Sequence, residues 1–280
     1  MILSLCAAVS VVTTIGIVVL LLYESLQFFR DVSIWEFLFS PTWAPQNNEY
    51  GIRPLFAGTM LVTVGSILVA LPLGLGTAIY LSEYASPLAR ESIKPVLELL
   101  AGVPSVVFGY LAYIVISPYI KLLIPGADIN NAASAAIVVG FMILPTIISL
   151  SEDVLRAVPR SLREGAYALG ATKVDVTVKV VVPAAMSGIM ASILLAISRA
   201  IGETMAVTLA AGGTPRTTLN PFVSIQTMTA FIVEKASGES SHGDTDFRTI
   251  FAVGLALFAT TMVLNLGAQW ILTRVREKYE

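Results

Sequence analysis

Two residues in this chain have the types and spacing to handle an anion in a non-polar medium: Arg199 and Glu203. Arginine offers a planar, permanently charged fork that matches the oxygens of a tetrahedral oxyanion. An ionised carboxylate beside it would accept a hydrogen bond from a protonated oxyanion and repel a fully deprotonated one. Glu203 is four residues on from Arg199, so a continuous helix projects both from one face and lets them pair. Two readings follow. In one, the residues form a structural ion pair that pins their helix to a neighbour. In the other, Arg199 supplies attraction and Glu203 selectivity, and between substrates the two neutralise each other and keep a pathway closed. Polar neighbours placed to complete such a site are Thr204, next to the carboxylate, Ser105, after Pro104, and Thr59, one turn from Thr63. Serine and threonine in apolar helices also bond their own carbonyls or serve close packing, which is the commoner use.

The composition identifies the medium. Hydrophobic residues are 56% of the 280 and charged residues 13%, against roughly 45–50% and 25% in a soluble domain. Mean hydropathy is +0.81. A soluble fold has too little interior for this much hydrocarbon, so the solvent for most of the chain is lipid. The net charge of −2 supplies no basic field for nucleic acid. One cysteine, Cys6, and one histidine, His242, leave no intrachain disulfide and no thiolate or multi-histidine metal site. No cofactor or metal is expected. The strings G-x4-G-K-[ST], G-x-S-x-G and H-E-x-x-H are absent, so the chain is expected to be neither an ATPase nor any other enzyme.

Six stretches are long and apolar enough to cross a bilayer, at approximately 2–29, 55–81, 93–119, 132–151, 184–211 and 248–272. They do not alternate, so the expectation is an all-α integral membrane protein with six helices, residues 1–280 forming one domain. The first stretch lacks a basic flank and is too long for a signal peptide; it reads as a retained span. Arg199 then lies about 22 Å along the fifth span, where an arginine costs at least about 2.5–3.5 kcal/mol. Placing both termini inside puts ten basic residues in the inner segments against six outside. The outer segment 31–53, with Trp35 and Trp43, reads as an ordered cap with aromatics at the interface. In the other outer segment, 212–247, Phe222 to Val233 reads as a half-buried helix and 237–244 as a flexible polar loop.

The inner connection 152–183 is long and patterned. A helix-compatible run from Ser161 to Leu169 stops at Gly170, where glycine suits a left-handed helix end. A second amphipathic stretch, Thr172 to Val182, ends at Pro183. The string Glu164-Gly165-Ala166-x3-Gly170-x9-Val180-x-Val182-Pro183 resembles the EAA loop of ABC importer permeases, E-A-A-x3-G-x9-I-x-L-P. Spacing matches throughout; Gly165 replaces an alanine and valines stand at 180 and 182. Gly102-Val103-Pro104-Ser105-Val106-Val107-Phe108-Gly109 and Gly58-Thr59-Met60-Leu61-Val62-Thr63 resemble the phosphate-importer permeases. Ser198-Arg199-Ala200-Ile201-Gly202-Glu203-Thr204-Met205-Ala206-Val207 is similar to their C-type rather than A-type members.

The resemblance runs from span one through span six. It implies the MetI-like fold of ABC importer permeases and a coupling helix at Glu164, Gly165, Ala166, Gly170 and Pro183 that docks on an ATPase. It also implies three partners: an A-type phosphate permease, a cytoplasmic dimer of ATP-binding subunits and an extracytoplasmic phosphate-binding protein. The solute would be inorganic phosphate, imported across a prokaryotic cell membrane. A permease for sulfate, molybdate or tungstate is the alternative within transport. A passive anion channel is the alternative outside it, although a channel leaves the inner projection unexplained.

Overall fold

The computed structural model describes residues 2–238 and 245–275. Most of the expected polar loop (239–244, with His242) and of the basic tail (276–278) therefore lies outside the described residues. One end of the bundle carries the 152–183 connection (the loop end); the other carries an ordered cap.

Helix α1 (Ile2–Asp31) reaches the cap, which contains α2 (Ile34–Phe39) and strands β1 (Trp43–Ala44) and β2 (Glu49–Tyr50), antiparallel with Trp43 opposite Tyr50. Helix α3 (Arg53–Ile79) returns to the loop end and finishes in a π turn, Tyr80–Tyr84. There α4 (Pro87–Gly102) starts from Ser86, whose hydroxyl accepts the Ala89 N–H. Helices α5 (Ser105–Leu111) and α6 (Ser117–Leu123), joined by a π turn, form one span toward the cap. Helix α7 (Ala132–Ala157) descends again. The loop end then holds α8 (Arg160–Ala168), α9 (Lys173–Val176), a third π turn (Thr177–Val181) and α10 (Val182–Ala184). The chain climbs through α11 (Met186–Gly202) and α12 (Met205–Ala210), crosses the cap with α13 (Met228–Ser237) and descends as α14 (Thr245–Val275).

Five of these helices are long and apolar enough to span a bilayer. A sixth span arises if the pair 173–184 and 186–202, bent by 68°, counts as one. The expected all-α membrane architecture is thus present, with one pair of two-residue strands as its described β-structure. Two expected spans are divided. The stretch 93–119 is interrupted at Val103 (φ −68°, ψ 129°), because Pro104 drives the preceding residue out of helical conformation. Residues before the break belong to α4, which lies against α7 at the loop end. The stretch 184–211 is interrupted at Glu203 (φ −66°, ψ 130°).

Helices α3, α7 and α11 form the centre, around buried Val62, Ala70, Val138, Ile143, Ile147 and Ala196. Hydrogen bonds between Ser151 and Ser192 (2.7 Å) and from Ser117 to Ser134 (2.9 Å) tie neighbouring helices. Small side chains and hydroxyl pairs are what hold helices together where lipid removes the hydrophobic drive. The cap has an aromatic core instead. Trp43 is buried with its ring 4.9 Å from Phe231, and Phe28 packs edge-on to Phe37 and Tyr50. Trp43 is therefore interior rather than interfacial, whereas Trp35 is exposed and stacks on Phe39.

The segment before α13 is not helical as Phe222 onward was expected to be. It re-enters the bundle as extended chain, with Ile225 N–H donating to the Ala211 carbonyl and fully buried. A Cβ on Gly58 of α3 would overlap the Gln226 carbonyl oxygen in this segment. Gly58→Val should therefore destabilise the protein by about 1–3 kcal/mol, read as a lower thermal midpoint in detergent.

Candidate functional site

Arg199 sits on α11 thirteen residues beyond Met186, about 20 Å into the bundle. Its side chain is exposed on the isolated chain, and Nη1 donates to Thr146 Oγ1 of α7 at 3.2 Å. Among the described residues it pairs with no carboxylate. The expected Arg199–Glu203 pair is absent because the helix that would have aligned the two stops at Gly202. Glu203 turns to the next helix: its Oε1 accepts the Ala206 N–H (3.2 Å), and its carbonyl accepts Thr229 Oγ1 (2.9 Å) of α13. Thr204 Oγ1 donates to the Gly202 carbonyl across the break. The result is an uncompensated guanidinium at mid-bundle depth beside a broken helix, a common arrangement where transporters bind charged solutes. Hydrocarbon would not tolerate that charge, so protein or water must cover this face.

Ser105 opens α5, which packs so closely on α12 that a Cβ on Gly109 would lie 2.9 Å from Ala206 Cα. Both helices run toward the cap, so Ser105, one turn before Gly109, lies near the depth of the Glu203 break. Thr59 is elsewhere. It is buried in α3, donates to the Leu55 carbonyl (2.8 Å) and accepts the Met228 N–H (3.0 Å), anchoring the start of α13. Arg199, Glu203, Thr204 and Ser105 thus gather around the breaks, while Thr59 supports the cap.

Two ionic groups at the loop end were invisible in the linear reading. The fully buried Glu152 of α7 is met by Arg90 of α4, by Lys94 Nζ at 2.6 Å and by Arg156 at 3.8 Å. Burial, and after it the charge of Arg156, push the Arg90 guanidinium pKa down from its ordinary value. Beside this cluster a cavity of about 190 Å³ runs between α4 and α7 from Thr146 to Glu152. The second group is Arg163 of α8, which donates to Glu83 Oε1 (2.9 Å) and to the Val158 (2.6 Å) and Leu155 (2.8 Å) carbonyls. No spacing rule joins residues 62 or 80 positions apart; only the excess of charge around 83–98 and 152–163 hinted at them.

The loop projection has the expected shape. Gly170 has φ +83°, Gly170 N–H bonds the Tyr167 carbonyl and Ala171 N–H the Ala166 carbonyl. That is a Schellman ending, which favours glycine. Just before this corner Glu164 and Gly165 are exposed and Ala166 is half-buried, while Leu169 next to it is 90% exposed. Pro183 lies two residues after the third π turn, whose i→i+5 bonds accommodate the missing proline N–H. A Cβ on Gly165 would meet nothing. Gly165→Ala should therefore stabilise α8 by about 0.5–1 kcal/mol, seen as slower amide exchange in that helix.

A polytopic helical bundle with an exposed arginine beside a helix break and a helical projection at one end fits a membrane permease. Residues 70–279 match the model of the binding-protein-dependent transport system inner membrane component, and the chain belongs to that family of ABC importer permeases. It is 36% identical over 278 residues to the probable ABC transporter permease protein YqgH of Bacillus subtilis, covering 98% of this chain and 90% of that one. It is 33% identical over 288 residues to the phosphate transport system permease protein PstC of Mesorhizobium japonicum (96% and 88%). A chain solved in inward-facing conformations of the MetNI methionine ABC transporter superposes with TM-score 0.58 at 14% identity, over 81% of this chain and 95% of that chain. The MetI-like fold expected from the EAA string is therefore the fold found.

Proposed function

We propose that the chain is the C-type half of an ATP-driven phosphate importer, with no catalytic step of its own. The observation that carries this reading is Arg199: a bare guanidinium at mid-bundle depth, aligned on a neutral threonine and facing a surface that a second permease would close. The PstC relatives favour phosphate. In this reading both termini and the projection 160–183 face the cytoplasm. Glu164, Gly165, Ala166, Gly170 and Pro183 shape the surface that meets an ATPase dimer, and the aromatic cap receives a phosphate-binding protein. The A-type permease supplies the opposite wall. Arg199 attracts the released anion, and Glu203, Thr204 and Ser105 contribute carboxylate and hydroxyl groups around it.

Uptake of labelled phosphate into vesicles holding the whole assembly, with sulfate, molybdate and tungstate as competitors, tests the solute. Uptake that needs no ATP would instead identify a passive channel. Glu203→Gln keeps an oxygen for the Ala206 N–H and removes only the charge. It should lower the preference for phosphate over sulfate by about tenfold, about 1.4 kcal/mol, in the same competition assay.

A further inference from the structure

The cavity between α4 and α7 has the features of a second stop for the solute. One end is Thr146, the residue to which Arg199 donates; the other is Glu152, six residues on along α7, about 9 Å. Its volume of about 190 Å³ holds several waters at about 30 Å³ each, enough for a small ion with part of its hydration. Lys94 Nζ, the Ser149 hydroxyl and the Glu98 carboxylate line it. Around its loop end three cations share the one fully buried carboxylate of Glu152. The Nε of Arg90 is buried there with no hydrogen-bond partner among the described residues. Lys94 also meets Asp153 at 3.4 Å, so three cations face two carboxylates. One positive charge is left over beside a void that begins at the partner of Arg199, which fits a small oxyanion.

We infer that this cavity is an inner oxyanion station. The ion leaving Arg199 enters past Thr146, Lys94 exchanges Glu152 for its oxygens, and Glu98 accepts the hydroxyl of a protonated ion. The inference rests on the proposed permease role but not on which anion is carried.

The test is ATP-driven uptake by the reconstituted assembly with Lys94→Gln, Lys94→Arg and Ser149→Val, the last leaving every ion pair in place. The expected result is at least a tenfold loss of maximal uptake in Lys94→Gln, recovery in Lys94→Arg and a several-fold loss in Ser149→Val. Binding-protein-stimulated ATP hydrolysis should persist throughout. Unchanged uptake in Lys94→Gln and Ser149→Val would overturn the station. So would ATP-independent leakage with normal uptake in Lys94→Gln, which marks a mere latch. A loss that appeared only in vesicles of anionic lipid would overturn it too, by placing a lipid headgroup in the cavity. If the wild-type assembly carries sulfate or molybdate instead, the phosphate reading fails, and the same variants decide the station with that anion.

Discussion

Arg199→Gln should reduce ATP-driven phosphate uptake by at least a hundredfold while leaving the assembly intact. Glutamine keeps a neutral polar group facing α7, although its amide is two bonds shorter than the Nη1 that now meets Thr146 Oγ1 at 3.2 Å. What it loses is the permanent charge and the forked donor geometry, the two properties that bind an oxyanion strongly in a water-poor site. Charge-assisted contacts to the ion would account for about 1.5–3 kcal/mol each, and two of them lost together give the stated factor. A lysine side chain restores the charge without the fork, so Arg199→Lys should fall between, about tenfold below wild type. Uptake in proteoliposomes, with complex yield and stimulated ATP hydrolysis as controls, measures this. Normal uptake by Arg199→Gln would remove the basis of the phosphate reading.

Arg163→Ala should uncouple hydrolysis from transport. The guanidinium is the buried tie between the α8 projection and the ends of two central helices, through Glu83, Val158 and Leu155. Removing it leaves a nearly buried carboxylate with the Ser82 hydroxyl as its remaining partner and strands two carbonyls, a change of the kind that costs up to about 3–5 kcal/mol. That loss falls on the part that must transmit movement. ATP hydrolysis should continue, uptake should fall at least tenfold, and amide exchange in α8 should quicken. The paired change Glu83→Leu with Arg163→Leu removes both charges; it should restore much of the stability without restoring coupling. Uptake in step with hydrolysis in Arg163→Ala would show that the projection transmits through other contacts.

Much of this architecture is legible in one dimension because lipid imposes a simple rule on it. Long apolar runs must be helices, and glycine at a left-handed corner or proline after an apolar run leaves a local mark. Gly170 and Pro183 could both be placed that way, whereas Pro104 reads as lying inside a continuous span and in fact divides it. Glu203 could not. An i, i+4 spacing assumes an unbroken helix, and the break at Gly202–Glu203 depends on a carboxylate turning forward to cap Ala206 and on Thr229 reaching in from α13. The Glu152 cluster and the Arg163–Glu83 tie were hidden for a related reason. Each joins segments that become neighbours only after several spans have packed, and sequence order carries no sign of that. Trp43 misled because a cap has its own aromatic interior, so an indole in an outer segment need not rest at the lipid boundary.

Helix α1 packs along α14, with Leu21 against Gly254, and at lipid depth none of its most apolar window is buried. The family match begins only at residue 70. In synthesis α1 precedes α14 with every other span between them, so its pairing with α14 has to wait until those spans have been made. Its largely apolar surface suits that wait, and the central trio can assemble meanwhile without it.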